Sequence, residues 1–317
     1  MNNSFGDKLR ITLFGESHSP ELGVVIEGVP ADIKIDSEDF AEDLARRKSG
    51  PLGTTPRIED DMPLIEDFRR EGSIRITFKN SNIRSSDYSD FEAVPRPGHA
   101  DFTSRVKYGH CFPGGGIFSG RMTLPIVAAG VIAKKMIAPI RVEASLIEIG
   151  GISADDSAAV EEALRRATRE GDSLGGVIEC RCTNVAAGLG EPFFDSVESL
   201  LSHAMFSIPG IRAIEFGDGF AASRATGSQH NDAFVDAEGH TLTNHAGGID
   251  GGITNGNPLI FRVAVKPTSS IRRAQTTFDF AAGCMTTLET PGRHDVCFAL
   301  RVPPVVESLT ALVLSNL

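Results

Sequence analysis

The sequence predicts an α+β fold in a single domain that spans residues 1–317. Segments with strand patterns and segments with helix patterns follow each other without the regular alternation of a doubly wound sheet. The chain contains neither a P-loop signature nor a G-x-G-x-x-G segment after a strand. No composition change marks a second domain, and the content of 41% hydrophobic and 23% charged residues is ordinary for a globular protein.

The individual elements follow from hydrophobic periodicity and capping residues. Strand patterns occur at residues 9–14, 74–78, 176–185, 213–216 and 259–265. Helix patterns start at Asp36, Ser119, Asp156, Asp195 and either Pro303 or Pro304. The helix over 119–137 is apolar almost all round, so we expect most of it to be buried.

Two helices carry further local signals. In the helix over 156–170, Glu161 precedes Arg165 and Glu162 precedes Arg166 by four residues, a spacing at which opposite charges pair. The helix over 119–137 follows three glycines at 114–116. A helix start there would present backbone N–H groups to a phosphate or a flavin edge, and a plain tight turn is the alternative.

The chain as a whole is acidic, whereas its glycine-rich segments carry several basic residues. The net charge of −11 argues against a general nucleic-acid-binding protein. Basic residues nevertheless lie in or beside the glycine-rich segments, namely Arg96, Arg121, Lys266, Arg272, Arg273 and Arg293. A basic pocket inside an acidic protein would attract a small anion, whereas scattered surface charges are the alternative.

The expected location is the cytoplasm, with no membrane partner. No apolar run approaches the roughly 18 residues of a membrane span, and residues 1–8 lack the apolar core of a signal peptide. The five cysteines are scattered and odd in number. We expect structural thiols in a reduced protein.

Four glycine-rich segments, at residues 15–18, 96–101, 266–270 and 292–295, each carry polar side chains suited to chemistry. Loops of this kind hold functional groups at defined angles and let a ligand approach the backbone. His18 and His99 stand in two of them, and unperturbed imidazole titrates near pH 6.5. The segments therefore indicate a site for an anionic ligand with proton transfers near neutral pH.

Two other site chemistries are less well supported. Residues 15–19 resemble the G-x-S-x-G elbow of serine hydrolases, but the last position is serine. On an extended segment the side chains of Ser17 and His18 would also point apart. His230, Asp232, Asp236 and His240 lack any recognised metal-ligand spacing, so we predict no metal.

Read together, the motifs resemble the chorismate synthase family. The resemblance runs in the family's order through FGESH at 14–18, RPGHAD at 96–101, KYG at 107–109, GGG at 114–116, GLGEP at 188–192, FSIPG at 206–210, EFGDGF at 215–220, GS at 227–228, NHAGGI at 244–249, GG at 251–252, KPTSS at 266–270 and GRHD at 292–295. Each motif is moderately specific, and the ordered set is very specific.

The resemblance implies a carbon–oxygen lyase that acts on phosphates. The family converts 5-enolpyruvylshikimate 3-phosphate to chorismate by anti-1,4-elimination of phosphate in the shikimate pathway, which leads to aromatic amino acids. The reaction needs reduced FMN without net redox change, and the family is linked to NADP. We expect an external reductant for the flavin. The family fold is a β-α-β sandwich with helices packed between two antiparallel sheets, and family members form homotetramers.

The resemblance also implies roles for individual residues. His18 matches a histidine that keeps the flavin suitably protonated, and His99 matches one proposed to assist phosphate departure as an acid. Asp295 and Ser17 match the pair proposed to relay the C6 proton through flavin N5. The matches to FMN-binding positions are Ile117, Phe118, Ser119, Pro209, Gly210, Gly251, Lys266, Pro267, Thr268, Ser269, Ser270 and Arg293. The candidates for the substrate's anionic groups are Arg46, Arg47, Arg121 and Arg293.

The chain departs from the family pattern at two cationic positions. Ile117 stands where the family commonly has arginine, and the loop after Arg47 lacks the usual second arginine. Loss of positive charge near a phosphate would cost up to a few kcal/mol if it were not replaced. Arg57 and Arg105 are candidate replacements, and a catalytically impaired flavin- or anion-binding homologue is the alternative function.

Overall fold

The computed structural model describes residues 2–82 and 91–317. It confirms the α+β class and the sandwich architecture: two five-stranded antiparallel sheets enclose a layer of helices. The single domain over residues 1–317 stays a prediction.

The first sheet comes from the N-terminal part of the chain. Its strands are β1 (Ser4–Phe5), β2 (Arg10–Gly15), β3 (Glu21–Glu27), β4 (Leu64–Phe68) and β5 (Ser73–Lys79). Their order across the sheet is β1-β2-β3-β5-β4. Leu22, Val24 and Ile26 of β3 alternate toward the interior and are completely buried, as the two-residue period of a strand requires.

The second five-stranded sheet and two separate two-stranded pairs come from the rest of the chain. The strands are β6 (Arg141–Ile149), β7 (Ile152–Ser153), β8 (Gly176–Thr183), β9 (Ile211–Phe216), β10 (Ile249–Asp250), β11 (Ile253–Thr254), β12 (Leu259–Val265), β13 (Gln275–Asp279) and β14 (Cys284–Leu288). The sheet order is β7-β6-β8-β12-β9, while β10–β11 and β13–β14 form separate two-stranded pairs. Cys180 and Cys182 point the same way from β8 and are fully buried.

The α-helices are α1 (Ala41–Arg47), α2 (Asp101–Tyr108), α3 (Thr123–Met136), α4 (Ser157–Glu170), α5 (Val197–Met205), α6 (Gly227–His230) and α7 (Pro303–Leu314). Short 3₁₀ segments lie at Ser37–Phe40, Arg69–Glu71, Pro113–Phe118, Gly120–Met122, Gly219–Arg224 and Phe298–Arg301. Over the described ranges, no helix is both long and apolar enough to cross a membrane.

Helices α3 and α7 form the middle of the sandwich. Helix α3 packs against β3 and β5, α7 packs against β6 and β8, and the two helices pack against each other. At their crossing, a Cβ placed on Gly130 would overlap the side chain of Ser308. Only glycine permits this close approach, and the apolar surface of both helices is buried, as the pattern over 119–137 predicts.

Two local expectations need correction. Glu161 pairs with Arg165, but Glu162 pairs with Arg169 rather than Arg166, because a seven-residue spacing also returns to the same helix face. The three glycines at 114–116 do not start a helix. They adopt positive φ angles in a tight turn, and α3 begins only at Thr123.

Candidate active site

A cavity of about 640 Å³ opens where loops from both sheets converge. All four glycine-rich segments contribute to its wall, through His18, His99, Lys266 and Arg293 among others. Lining residues as far apart in the sequence as His18 and Asp295 therefore meet at one place. The volume lies within the range of small-molecule and cofactor sites.

His18 enters the cavity from a turn that follows β2. The Ser17 hydroxyl lies 2.9 Å from His18 Nδ1 and 3.2 Å from the carbonyl oxygen of Gly114. The expectation that Ser17 and His18 point apart is therefore wrong, because residues 17–20 form a turn rather than an extended segment. Ser17 is completely buried and lies one hydrogen bond behind the cavity wall.

His99 is held by a buried pair of charges. Its Nδ1 lies 2.6 Å from Asp101 Oδ1, and Arg96 binds both carboxylate oxygens of Asp101 at 2.7 Å. Burial is the main cause that lowers the pKa of His99, and Arg96 and Lys266 lower it further against the opposing effect of Asp101. The side chain is therefore largely neutral at pH 7 before a ligand binds.

Lys266 and Arg212 place two cations at one end of the cavity. Residues pair as Ala264 with Ala213 and as Val265 with Ile211, so Arg212 is the extra residue of a β-bulge. A bulge redirects the side chain of its extra residue, and Arg212 lines the cavity. Among the residues that the structure describes, neither cation pairs with a carboxylate, and the pKa of Lys266 is lowered by burial and by Arg212.

Arg121 and the fully buried Arg47 share the carboxylate of Asp61. Arg121 Nη1 donates a short hydrogen bond to Asp61 Oδ1, and Arg47 Nη1 lies 3.6 Å from Oδ2. Arg121 Nε also donates to Asn80 at 3.0 Å. Arg121 Nη2 is buried and has no hydrogen-bond acceptor within the described part of the chain. An unsatisfied buried donor on a cation at a cavity wall suits an anionic ligand.

Asp295 is oriented by two partners at the cavity wall. Its Oδ1 accepts a hydrogen bond from the Thr55 backbone at 2.8 Å, and Arg301 Nη1 lies 3.1 Å from the same oxygen. Arg301 in turn donates to the backbone carbonyl of Arg47 at 3.0 Å. Arg293, the neighbouring cation, donates to Asn82 Oδ1 at 3.1 Å.

Most of the residues predicted from sequence meet at this cavity. It collects His18, His99, Arg121, Asp295, Arg293 and the segments 117–119, 209–210 and 266–270. Arg46 and Gly251 are not among the described lining residues. Arg46 instead pairs with Glu307 at 2.6 Å, and Gly251 lies in the turn between β10 and β11. Arg47 stands behind the wall and supports Asp61.

Sequence reasoning missed several charged lining residues. They are Lys48, Glu59, Asp61, Arg212 and Arg301. Lys48 and Arg301 lie beside predicted residues, and their proximity in sequence was a usable signal. Arg212 becomes a lining residue through a one-residue register shift between β9 and β12, which the sequence pattern does not reveal. Of the two candidate replacement cations, the structure brings Arg57 to the cavity, whereas Arg105 lies over Phe280.

The fold and the cavity define a class of protein. The described cavity wall combines eight cationic side chains with three histidines and three carboxylates. The described residues contain no group of three or more His, Cys, Asp or Glu that could hold a metal ion. A two-sheet sandwich with such a cavity is an enzyme built around a small polyanion and proton transfer.

The comparisons with known proteins identify the family. The sequence model of chorismate synthase matches residues 9–317. Chorismate synthase of Chitinophaga pinensis is 52% identical over 322 residues, covering 99% of this chain and 96% of that protein. The enzyme of Dehalococcoides mccartyi is 44% identical over 351 residues, covering 100% of this chain and 96% of that protein. The chain belongs to the chorismate synthase family and is, in general terms, a flavin-dependent lyase.

A solved structure supports the same fold independently. A crystal structure of chorismate synthase matches with a TM-score of 0.75 and 24% identity, over 98% of this chain and 92% of that chain. At this level of identity the match supports a conclusion about the fold alone. It agrees with the two antiparallel sheets and the helices between them.

Proposed function

We propose that this chain converts 5-enolpyruvylshikimate 3-phosphate to chorismate by anti-1,4-elimination of phosphate and a proton, with reduced FMN as cofactor. The observation that carries the proposal is the meeting of His18, His99, Asp295 and a surplus of cations in one cavity. The substrate carries a phosphate and two carboxylates, and departure of the phosphate builds negative charge. Preorganised cations stabilise that charge without reorganising during the reaction.

The residues present fit FMN at the Lys266 end of the cavity. Lys266 and Arg212, which pair with no carboxylate among the described residues, suit its phosphate. Ser269 supplies a hydroxyl beside Lys266, and Ser270 also lines the cavity. Pro209, Ile117 and Phe118 provide apolar surface suited to a flat ring system. When bound, reduced FMN would supply electron density to the reacting substrate and recover it as the C6 hydrogen leaves.

The substrate's anionic groups fit the Arg121 side of the cavity. Arg121 offers its unsatisfied Nη2, and Arg293 and Arg57 line the same wall. Ile117 stands where the family commonly has arginine, and Arg57 supplies another cation to the cavity wall. Arg57 is fixed by Glu59, with 2.6 Å between Nη2 and Oε1. Arg46 is held by Glu307 on α7, so we assign it to stabilising the packing of α1 rather than to binding substrate.

His99 and Asp295 have different roles in the proposed proton transfers. His99 starts neutral, and a bound phosphate would favour its protonated form, which can then donate to the departing phosphate oxygen. Asp295 pairs with Arg301 at the cavity wall, and its carboxylate oxygens are suited to receiving the C6 proton. The Ser17 hydroxyl contacts the cavity wall at His18 and at the Gly114 carbonyl. Of these two groups only the imidazole of His18 can carry a proton, so the part of Ser17 in a relay runs through His18.

We also propose that the chain forms a homotetramer in the cytoplasm. The proposal rests on exposed apolar side chains and on the assembly that the family resemblance implies. The connections between β8 and β12 expose large apolar side chains, namely Phe193, Phe194, Phe220, Phe234 and Leu242. Large apolar side chains that a single chain leaves exposed can be covered by contacts between subunits. Sedimentation velocity of the purified chain tests this proposal, and a monomer at micromolar concentration would contradict it.

The experiment that tests the function is turnover under anaerobic conditions with photoreduced FMN. Formation of chorismate and phosphate in equal amounts is the expected result. Binding of FMN and substrate without product would instead indicate the catalytically impaired homologue. A fluorophosphonate probe should not label Ser17, because the residue is fully buried; labelling would favour a serine hydrolase.

A further inference from the structure

We infer that Asp101 is a positioning residue that fixes His99 as its Nδ1–H tautomer and thereby turns a lone pair on Nε2 toward the cavity. The inference rests on the proposed function only for its effect on turnover, because the tautomer itself can be measured without a reaction. Asp101 does not line the cavity among the described residues, so it acts through His99.

The carboxylate of Asp101 is built into the structure as an acceptor. The residue is 3% exposed. Its Oδ1 lies 2.6 Å from His99 Nδ1 and 2.7 Å from Arg96 Nη2, while Oδ2 accepts from Arg96 Nε at 2.7 Å and from the Arg96 backbone at 3.1 Å. Burial alone would raise the pKa of Asp101, but the hydrogen bonds from Arg96 and His99 outweigh it and hold the pKa far below its usual value. Asp101 is therefore ionised and can only accept.

The short contact between Asp101 and His99 decides which ring nitrogen carries the proton. An ionised carboxylate 2.6 Å from Nδ1 requires a hydrogen on that nitrogen, since two lone pairs would repel at this distance. Arg96 Nη2 also lies 3.0 Å from Nδ1 and donates one hydrogen to Asp101. Its second hydrogen could serve Nδ1 only in the other tautomer, which would set a lone pair of Nδ1 against the carboxylate at 2.6 Å. Arg96 therefore orients the carboxylate, and the carboxylate orients the imidazole.

The other ring nitrogen of His99, Nε2, is the atom that can contact a ligand in the cavity. His99 lines the cavity, and a Cβ placed on Gly115 would lie 3.4 Å from Nε2, so a glycine backbone stands beside this atom. The charged groups that act on the ring are Arg96, Asp101 and Lys266. With Nδ1–H committed to Asp101, proton exchange with a bound phosphate has to occur at Nε2. This is the same division of labour by which a buried aspartate sets a histidine tautomer in hydrolytic triads.

Nitrogen-15 NMR of protein labelled in its histidine rings tests the inference directly. In the ligand-free wild type at pH 7.5 we expect the His99 ring to show a protonated Nδ1 and an unprotonated Nε2, with the signal assigned by its loss in His99→Gln. A protonated Nε2 with an unprotonated Nδ1 would overturn the inference, whether or not the chain makes chorismate.

The matching variant is Asp101→Asn, which keeps the shape but can offer an amide N–H to Nδ1. We expect a changed tautomer ratio and a fall in kcat of about 10²-fold, with a smaller change in KM for the substrate. Asp101→Glu should recover part of kcat because it restores the charge. Folded Asp101→Asn with wild-type kcat, pH profile and tautomer would overturn the inference. If Asp101→Asn does not fold, the wild-type spectrum decides.

The control is Asp218→Asn. Asp218 also accepts from a histidine Nδ1, that of His245 at 2.8 Å, but neither residue lines the cavity among the described residues. We expect this variant to leave kcat and the His99 signals unchanged. Loss of turnover in both variants, with His99 unchanged, would show that the effect of Asp101 is merely structural.

Discussion

Gly114 lies so close to His18 that a Cβ on the glycine would overlap the imidazole ring. The first glycine of the 114–116 turn thus forms one wall of the His18 position, with φ of 59°. In the same turn, the carbonyl oxygen of Gly114 accepts a hydrogen bond from the Ser17 hydroxyl. The glycine-rich turn therefore sets the place of His18, which we propose as a catalytic residue, in addition to bending the chain.

Gly114→Ala should displace His18 and lower turnover by at least about tenfold. The added methyl cannot coexist with the ring, and positive φ alone costs a non-glycine residue about 1–2 kcal/mol. Anaerobic turnover and thermal unfolding measure the two effects.

The matched control is Gly72→Ala. Gly72 has φ of 98° and no atom within 4 Å of a built Cβ, so it should show the stability cost without the loss of turnover. Equal turnover in Gly114→Ala and Gly72→Ala would contradict the assigned role of the turn.

His18→Ala and His99→Ala should each lower turnover strongly while leaving the fold largely intact. Neither ring belongs to the apolar core between the sheets, and both face the cavity. Single-turnover rates and circular dichroism separate the effect on chemistry from unfolding. A wild-type rate in either variant would remove that histidine from the mechanism.

Arg212→Glu should weaken FMN binding by at least about tenfold, which corresponds to about 1.4 kcal/mol. The substitution replaces one of two neighbouring cations by an anion that pairs with Lys266, so the site loses its surplus positive charge. Titration of FMN followed by fluorescence quenching measures the dissociation constant.

Arg166→Glu provides the same change of charge on the solvated face of α4. We expect no change in FMN affinity for this variant. A shared loss of affinity would point to net charge, and an unchanged affinity in Arg212→Glu would exclude the bulge cation from FMN binding.

The stability of the chain should depend on Glu59 at acidic pH. Burial alone would raise the pKa of Glu59, but hydrogen bonds from Arg57 and Ser81 outweigh it and lower the pKa from 4.5 to about 2. A carboxylate with a lowered pKa in the folded state adds stability that is fully present above pH 4.5 and is lost as pH falls toward 2. The contribution is on the order of 2 kcal/mol, less than the full shift implies, because Arg57 faces an open cavity.

Glu59→Gln should therefore remove part of the pH dependence of unfolding between pH 4.5 and 2. Urea unfolding at several pH values gives the free energy of unfolding for both proteins. Identical slopes of that free energy against pH would contradict the assignment. Glu161→Gln, at an exposed pair on α4, is a control that should leave the slope unchanged.

The sequence predicted many of the residues that line the cavity, but it did not predict the contacts that place some of the others there. His18, His99, Lys266 and Asp295 stand in local motifs of glycine and proline, so their meeting at one cavity could be predicted from a few neighbouring residues. Arg212 reaches the cavity through a register shift between the pairs Ala264–Ala213 and Val265–Ile211, whose members lie 51 and 54 residues apart, and no local pattern encodes that shift.

Arg46 and Arg47 show why the role of a family residue cannot always be assigned to the matching residue of this chain. Both stand in the last turn of α1, where cations are typical in any helix. Because successive helical residues point about 100° apart, Arg46 turns to Glu307 while Arg47 lies under Asp61. The choice between them depends on packing against α7, which the sequence alone does not give.

Asp295→Asn should slow cleavage of the C6–H bond while leaving FMN affinity largely intact. Asparagine can still accept the Thr55 N–H but loses the charge that pairs with Arg301 and the basicity that a proton acceptor needs. With substrate deuterated at C6, we expect lower turnover and a larger isotope effect than in the wild type, because proton removal becomes more rate-limiting. Unchanged turnover together with an unchanged isotope effect would exclude Asp295 from proton removal. Thr55→Val keeps the backbone donor to Asp295 and removes the hydroxyl, which donates to the Arg293 carbonyl at 3.1 Å and accepts from the Arg57 backbone N–H at 3.2 Å. This control should leave the isotope effect at its wild-type value, since the carboxylate keeps both of its partners.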